Sequence, residues 1–419
     1  MKDKTLALHA GYDKGEFGTM SVPIYQTTAY EFRDSEHAAN LFELKEMGNI
    51  YTRLMNPTND ILEKRFAALE GGVASIATAS GAAAVFYAFA NVAGCGDNIL
   101  VAKQAYGGTL TLTAHTLKRF GIEARYFDVT KLDELDKLID EKTKMIFFEV
   151  IPNPSVTLCD IEKIVEIANK HGVMTCADNT VSTPIIFKPL ILGVDITVNS
   201  TSKYASGNGS ALGGMVTERV GLVDKIKGNS RYAHFNEPDA SYHGLVYSDL
   251  DLPPFTLRCR LAMQRDFGAT PSPHNSWLLI QGLETLALRM PEHSKNALAV
   301  AKFLEAHPKV KSVNYPAISN KELVDKYFKD GMASGLLSFE LESKEDAQKV
   351  AENTKIFSLV VNIGDSKSII THPASTTHQQ LSKEELISAG VPGGLLRLSV
   401  GLEDSTDLIE DLEKALNLI

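Results

Sequence analysis

The chain has 419 residues, 44% hydrophobic and 22% charged, a globular composition with too much apolar material for one ordinary core and enough for two or three domains. Lys and Arg total 42 against 52 for Asp and Glu, and the formal net charge is −10. That balance speaks against general nucleic-acid or anionic-membrane binding and leaves room only for a local basic pocket.

Residues 1–55 read as an irregular arm. It holds one extended piece, 22–32 (VPIYQTTAYEF), and no core of its own, so it is expected to lie on another part of the chain or on a second subunit. Tyr51 and Arg53 stand on the polar, proline-broken stretch 49–58 (NIYTRLMNPT), whose residue types alone indicate a surface loop. From Asp60, the residues Ile61, Leu62, Phe66 and Leu69 fall at helical spacing up to the stop at Gly71 and Gly72. The uncharged stretch 73–94 is too rich in Ala, Ser, Thr and Gly for a membrane span and reads as the start of a buried, closely packed helix.

Strands are predicted at 98–102, 124–127, 144–150, 173–177 and 195–199. They alternate with helices at 109–120, 131–139 and 160–170, the last capped by Asp160. Such alternation predicts an α/β fold built on a mostly parallel, doubly wound sheet covered on both faces. The stretch 232–254, rich in Asp, Pro, Tyr and His, reads as a connection. Beyond it, helices at 276–288 and 294–306, strands at 310–314, 335–341 and 395–400, and a last helix after Asp404 or Ser405 indicate a smaller α+β domain. The expected division is therefore an arm over 1–55, an α/β domain over 56–252 and an α+β domain over 253–419. Cys95, Cys159, Cys176 and Cys259 have no CxxC spacing and read as buried free thiols of a reducing compartment; with no signal-like segment in MKDKTLALHAGY, a cytoplasmic location is expected.

Neither GxGxxG nor GxxxxGK[ST] occurs, which removes the common dinucleotide and P-loop readings of a doubly wound sheet. Asp178 and Lys203 instead stand where two apolar runs stop, the place where open α/β sheets bind ligands. An aldehyde cofactor with a pyridine ring and a phosphate would use each piece nearby. A lysine that bonds to it must be able to lose its proton. A buried carboxylate such as Asp178 keeps a ring nitrogen protonated. Ser200, Ser202 and the small-residue helix entrance at Ser80, Gly81 and Ala82 offer hydroxyls and amides to an anion, and Tyr106 offers a face to the ring. Taken singly, Asp178 also fits a cap, Lys203 a solvated side chain and Tyr106 ordinary core. His372 and His378 do not make a metal site, because no carboxylate or cysteine completes a set.

The motifs VPIYQTTAY, YTRLMNPT, ATASGAAA, AYGGT, DNTVSTP, NSTSKYASGNGSALGG, NIGDSKSIITHPASTTHQQL and GGLLRLSVGLED, in this order along nearly the whole chain, resemble the Cys/Met-metabolism family of fold-type I pyridoxal-phosphate enzymes, in particular its O-acetylhomoserine sulfhydrylases. The resemblance implies pyridoxal 5'-phosphate as cofactor, carried by Lys203, with Asp178 at the pyridine nitrogen and Ser80, Gly81, Ala82, Ser200 and Ser202 at the phosphate. It further implies Tyr51 and Arg53 reaching that phosphate from a neighbouring subunit of a homotetramer. Tyr106 would stack on the ring, Asn153 would face the phenolic oxygen, and Arg397 would clamp the substrate α-carboxylate, with Asn362 and Tyr51 also at the substrate. Gly108, where the best-known methionine γ-lyases carry cysteine, and Asn362, where lyases and cystathionine enzymes commonly carry serine, favour the sulfhydrylase branch. The implied reaction replaces the acetate of O-acetylhomoserine by sulfide or a small thiol. Cystathionine γ-synthase and methionine γ-lyase are the neighbouring alternatives; a catalytically silent cofactor-binding or interaction protein, or a member fed by a sulfur-carrier protein, is the alternative of another kind.

Overall fold

The computed structural model describes residues 1–376 and 391–419; His378 lies outside them. Among the described residues two sheets form. The first has seven strands: β1 (Ala74–Thr78), β2 (Asn98–Ala102), β3 (Glu123–Phe127), β4 (Thr143–Glu149), β5 (Met174–Asp178), β6 (Ile196–Asn199) and β7 (Gly214–Glu218). Their spatial order is β1-β7-β6-β5-β4-β2-β3. From β6 to β3 every neighbour is parallel, while β7 runs antiparallel to both β6 and β1. The sheet is mostly parallel, as its alternating elements predict.

Both faces are packed, and the period of two in each strand decides which side chain goes where. On β4, Ile146 and Phe148 enter one core while Met145 and Phe147 enter the other; on β2, Leu100 and Ala102 separate in the same way from Ile99 and Val101. The second sheet, β10-β11-β12-β9-β8 in space, comprises β8 (Ser312–Asn314), β9 (Leu336–Glu340), β10 (Ser358–Leu359), β11 (Ile369–Thr371) and β12 (Leu395–Ser399), antiparallel except for β10 and β11. The helices Lys344–Asn353, Ser405–Leu416 and Pro273–Ala306 pack together beside it.

Several expectations need correction. The stretch read as one buried helix opens with β1, and only Gly81–Ala90 is helical; among the described residues no helix is long and apolar enough to cross a membrane. The helix expected at 131–139 is the 3-10 helix Leu132–Leu138, because Leu132, Leu135 and Leu138 recur every third residue and align on one side of a three-residue turn. The two helices expected around Pro291 are one, Pro273–Ala306. A proline inside a helix costs about 3 kcal/mol, and here Leu283, Leu286 and Met290 before it and Ala297, Val300 and Leu304 after it are all buried, which offsets that cost. The stretch read as a connection buries Tyr232, Phe235 and Tyr247 completely. Cys95 is exposed, and the other three free cysteines are buried.

The arm contains the helices Asp3–His9 and Ser35–Phe42. Its extended piece joins no sheet; it is pinned to the loop that follows it in sequence. Asn56 Nδ2 donates to the Tyr25 carbonyl at 2.8 Å, the Thr52 amide to the Thr28 carbonyl at 2.8 Å, and the Thr58 hydroxyl to the Pro23 carbonyl at 2.9 Å.

Candidate active site

The carboxyl ends of β1, β2, β4, β5 and β6 open on one cavity of about 480 Å³, a size suited to a small organic ligand. Ser80, Gly81, Ala82, Tyr106, Asn153, Asp178, Ser200, Ser202, Lys203, Asn362 and Arg397 all line it. Eleven of the thirteen residues that the sequence assigns to cofactor or substrate therefore meet in one place. Tyr51 and Arg53 do not line it. Both are exposed, with the Arg53 guanidinium carbon 5.5 Å from the centre of the Tyr51 ring.

At one end the helix Gly81–Ala90 points its first turn at the cavity. The Ser80 hydroxyl caps it by accepting from the Ala83 amide at 3.2 Å, and the leading amides of a helix have no acceptor within it. A Cβ on Gly81 would stand 2.5 Å from Ser200 Cβ, so only glycine lets the helix entrance and the turn after β6 close on a shared anion. The Ser200 amide is fixed by the Thr180 hydroxyl at 2.7 Å. Ser202 is already engaged, its hydroxyl accepting from the Gly213 amide at 3.0 Å and donating to the Gly213 carbonyl at 3.1 Å.

In the floor, Asp178 accepts from the Thr180 amide at 2.9 Å. Desolvation nevertheless raises its pKa to about 6, against the lowering effect of Thr180. Such a carboxyl lacks a cation, and a protonated ring nitrogen is one.

Lys203 sits on the turn after β6, its ammonium donating to Asn362 Oδ1 at 2.5 Å. Burial first, and the charge of Arg397 second, push its pKa below the usual lysine value, which favours the neutral amine that attacks a carbonyl and takes a proton. Arg397, on β12, is itself buried and lowered to about 10 by desolvation. Its guanidinium donates to Asn153 Oδ1 at 3.0 Å, to the Asn362 carbonyl at 2.8 Å and to the Thr371 hydroxyl at 2.9 Å, and among the described residues its Nε has no partner. All these acceptors are neutral, so the cation is left to be compensated by an anion from outside. Tyr106, about half exposed, stands over the opening. A Cβ on Gly108 would lie 2.5 Å from its ring, so the ring occupies the space that a side chain there would need.

Two contributors escaped the sequence reading. Glu149 ends β4, lines the cavity, and accepts from the amides of Tyr106 and Asn153. Thr180 joins Asp178 to Ser200. Glu149 carried the same signal as Asp178, a carboxylate where an apolar strand stops. His372 is no ligand: its two ring nitrogens meet the Ser375 hydroxyl and the Gly393 carbonyl, both at 2.7 Å.

An anion cradle, an uncompensated carboxyl, a desolvated lysine and an uncompensated arginine at the carboxyl ends of a mostly parallel sheet define a fold-type I pyridoxal-phosphate enzyme. The comparisons agree. The model of the family described as Cys/Met metabolism PLP-dependent enzyme matches residues 4–417, and the chain belongs to that family. It is 44% identical to an O-acetyl-L-homoserine sulfhydrylase of Leptospira meyeri, over 100% of this chain and 97% of that one. It is 42% identical to a homocysteine synthase of Schizosaccharomyces pombe, over 99% and 98%. Among solved structures, a candidate O-acetylhomoserine (thiol)-lyase of Campylobacter jejuni, which holds N'-pyridoxyl-lysine-5'-monophosphate, superposes with a TM-score of 0.98 at 53% identity, with 100% of both chains covered. The metB protein of Corynebacterium glutamicum gives 0.85 at 31% identity, covering 100% of this chain and 98% of that one.

Proposed function

We propose that this chain catalyses γ-replacement on O-acetyl-L-homoserine: sulfide or a small thiol bonds to Cγ, acetate leaves, and homocysteine or methionine results. The observation that carries the reading is the meeting of Lys203, Asp178 and Arg397 in one cavity, each lacking the countercharge or solvation it needs until cofactor and substrate enter. The names of the relatives at 44% and 42% identity support the same reaction.

Bound pyridoxal phosphate supplies the electron sink that accepts the pair left at Cα. Arg397 takes the substrate carboxylate on its free Nε edge, held in place by Asn153, Asn362 and Thr371. Lys203 removes the Cα proton and then moves a proton at Cβ, with Asn362 holding its nitrogen between the two positions. Tyr106 stacks on the ring and assists at Cβ as acetate departs. Gly81, Ala82, Ser80 and Ser200 would hold the phosphate end, joined by Ser202 once its hydroxyl turns from the Gly213 carbonyl; Asn153 would face the phenolic oxygen.

Assayed with O-acetylhomoserine and sulfide, the enzyme should release acetate and homocysteine in equal amounts. Ketoacid and ammonia from methionine alone, without that replacement, would assign it to the γ-lyases, and cystathionine from added cysteine to the γ-synthases.

The cytoplasm, a homotetramer with shared sites, and a thiol or carrier protein as sulfur donor complete the proposal. Tyr51 and Arg53 support the sharing: their loop is anchored through Thr52 and Asn56, yet both side chains are exposed and neither lines its own chain's cavity, and among the described residues Arg53 has no carboxylate partner. Mixed one to one, Lys203→Ala and Arg53→Ala subunits, each inactive alone, should regain roughly a quarter of the parental activity, because about one site in four then brings an intact lysine to an intact arginine loop. No recovery after proven subunit exchange would refute sharing.

A further inference from the structure

Glu149 is the last residue of β4 and lies in register with Asp178, the last residue of β5, so both carboxyls leave the sheet on one face and line the cavity. Both of its oxygens are used. Oε1 accepts from the Tyr106 amide at 2.5 Å, and Oε2 from the Asn153 amide at 3.1 Å. These amides lie on different loops, one after β2 and one after β4. From Asn153 the contacts run on, since its Oδ1 accepts from Arg397 at 3.0 Å. Burial, and then the charge of Asp178, hold the Glu149 pKa well above the ordinary glutamate value. A carboxyl in such a place costs the fold stability, and an apolar side chain would avoid the cost. No apolar side chain could accept the two loop amides, and the Asn153 amide, whose bond to Glu149 is buried, would otherwise stay unsatisfied.

We infer that Glu149 is a positioning residue, a single carboxyl that fixes the backbone at Tyr106 and at Asn153 and so aligns the ring-facing wall with the Arg397 carboxylate clamp. The inference rests on the reading of the cavity as a pyridoxal-phosphate and amino-acid site. It adds a common support for two parts of the wall of one cavity, where a displacement of about 1 Å can cost about 100-fold in rate.

Glu149→Gln keeps the volume but presents one acceptor and one N–H₂ group to two amide donors; Glu149→Ala removes both acceptors. Both variants retain Lys203 and Asp178, so borohydride should still fix the cofactor to the Lys203 peptide. The visible circular dichroism of the bound cofactor should fall as the Tyr106 wall loosens. With O-acetylhomoserine, KM should rise and kcat fall, about 10-fold each in Glu149→Gln and more in Glu149→Ala. Unchanged visible dichroism together with unchanged kcat and KM in loaded Glu149→Gln would overturn the inference, as would a lowered Tm as the only change. Should Glu149→Ala not fold, Glu149→Gln decides. Should the parent enzyme fail to turn over O-acetylhomoserine, the reaction assignment falls, and the dichroism of Glu149→Gln still decides the positioning role.

Discussion

Lys203→Ala is expected to remove turnover and the visible absorbance of the bound cofactor together, with a loss of at least about 10⁴-fold in kcat. The size follows from the cavity wall. Lys203 is the only amine among its lining residues, and the other cation there, Arg397, has a guanidinium that cannot serve as a base at neutral pH. Among the described residues that line the cavity, none offers a second amine to bind the cofactor. Asn362, which accepts from Lys203, neither gains nor loses a proton near neutrality. Folding should not suffer, because the lysine's charged form is disfavoured by burial and by Arg397, and alanine removes that penalty. An absorbance scan, steady-state rates and the melting temperature measured on one preparation test all three statements. A variant that kept both the visible band and turnover would remove Lys203 from the chemistry.

How much of this was legible in the sequence differs from one residue to the next. Asp178 and Lys203 were visible because parallel strands buried on both faces leave short apolar runs, and a charge at the end of such a run stands out. Glu149 ends a run of the same kind and was passed over, since nothing local separates a strand terminator from a carboxyl that holds two distant amides. β1 and β7 were not recognised: they are five residues each, β1 pairs only with β7, far away in sequence, and in isolation the two look like helix entrance and glycine-rich turn, although β7 also pairs with its predecessor β6. The gap expected between the helices at 276–288 and 294–306 holds Pro291, which local chemistry disfavours inside a helix; the burial on either side of it is a property of the packed protein. Arg397 entered through family resemblance alone. Its isolation from any carboxylate among the described residues, the feature that gives it a task, exists only after β12 has joined its sheet.

Asp178→Asn should act in opposite directions on the cofactor-free protein and on the loaded enzyme. In the cofactor-free protein, desolvation raises the Asp178 pKa from 3.8 to about 6. Below about pH 4 the carboxyl is protonated both folded and unfolded, and it carries no penalty. As pH rises from about 4 to about 6 the unfolded chain releases the proton while the folded chain keeps it, so stability is lost across that window. Above it the full cost remains, on the order of 2–3 kcal/mol. Asparagine cannot ionise, yet its Oδ1 can still accept from the Thr180 amide. It also relieves the push that Asp178 exerts on Glu149, which works in the same direction. The melting temperatures of the cofactor-free parent and variant should therefore coincide near pH 4 and diverge by a few degrees above pH 6, with the variant higher. In the loaded enzyme the ring nitrogen brings the missing positive charge. There the parent carboxylate is satisfied, and the variant should lose at least about 100-fold in kcat. A cofactor-free variant less stable than the parent at pH 7.5 would mean that Asp178 is compensated by the chain itself. The reversal expected on loading follows from the floor of the cavity, where the Thr180 contacts do not outweigh burial and the balancing cation has to arrive with the cofactor.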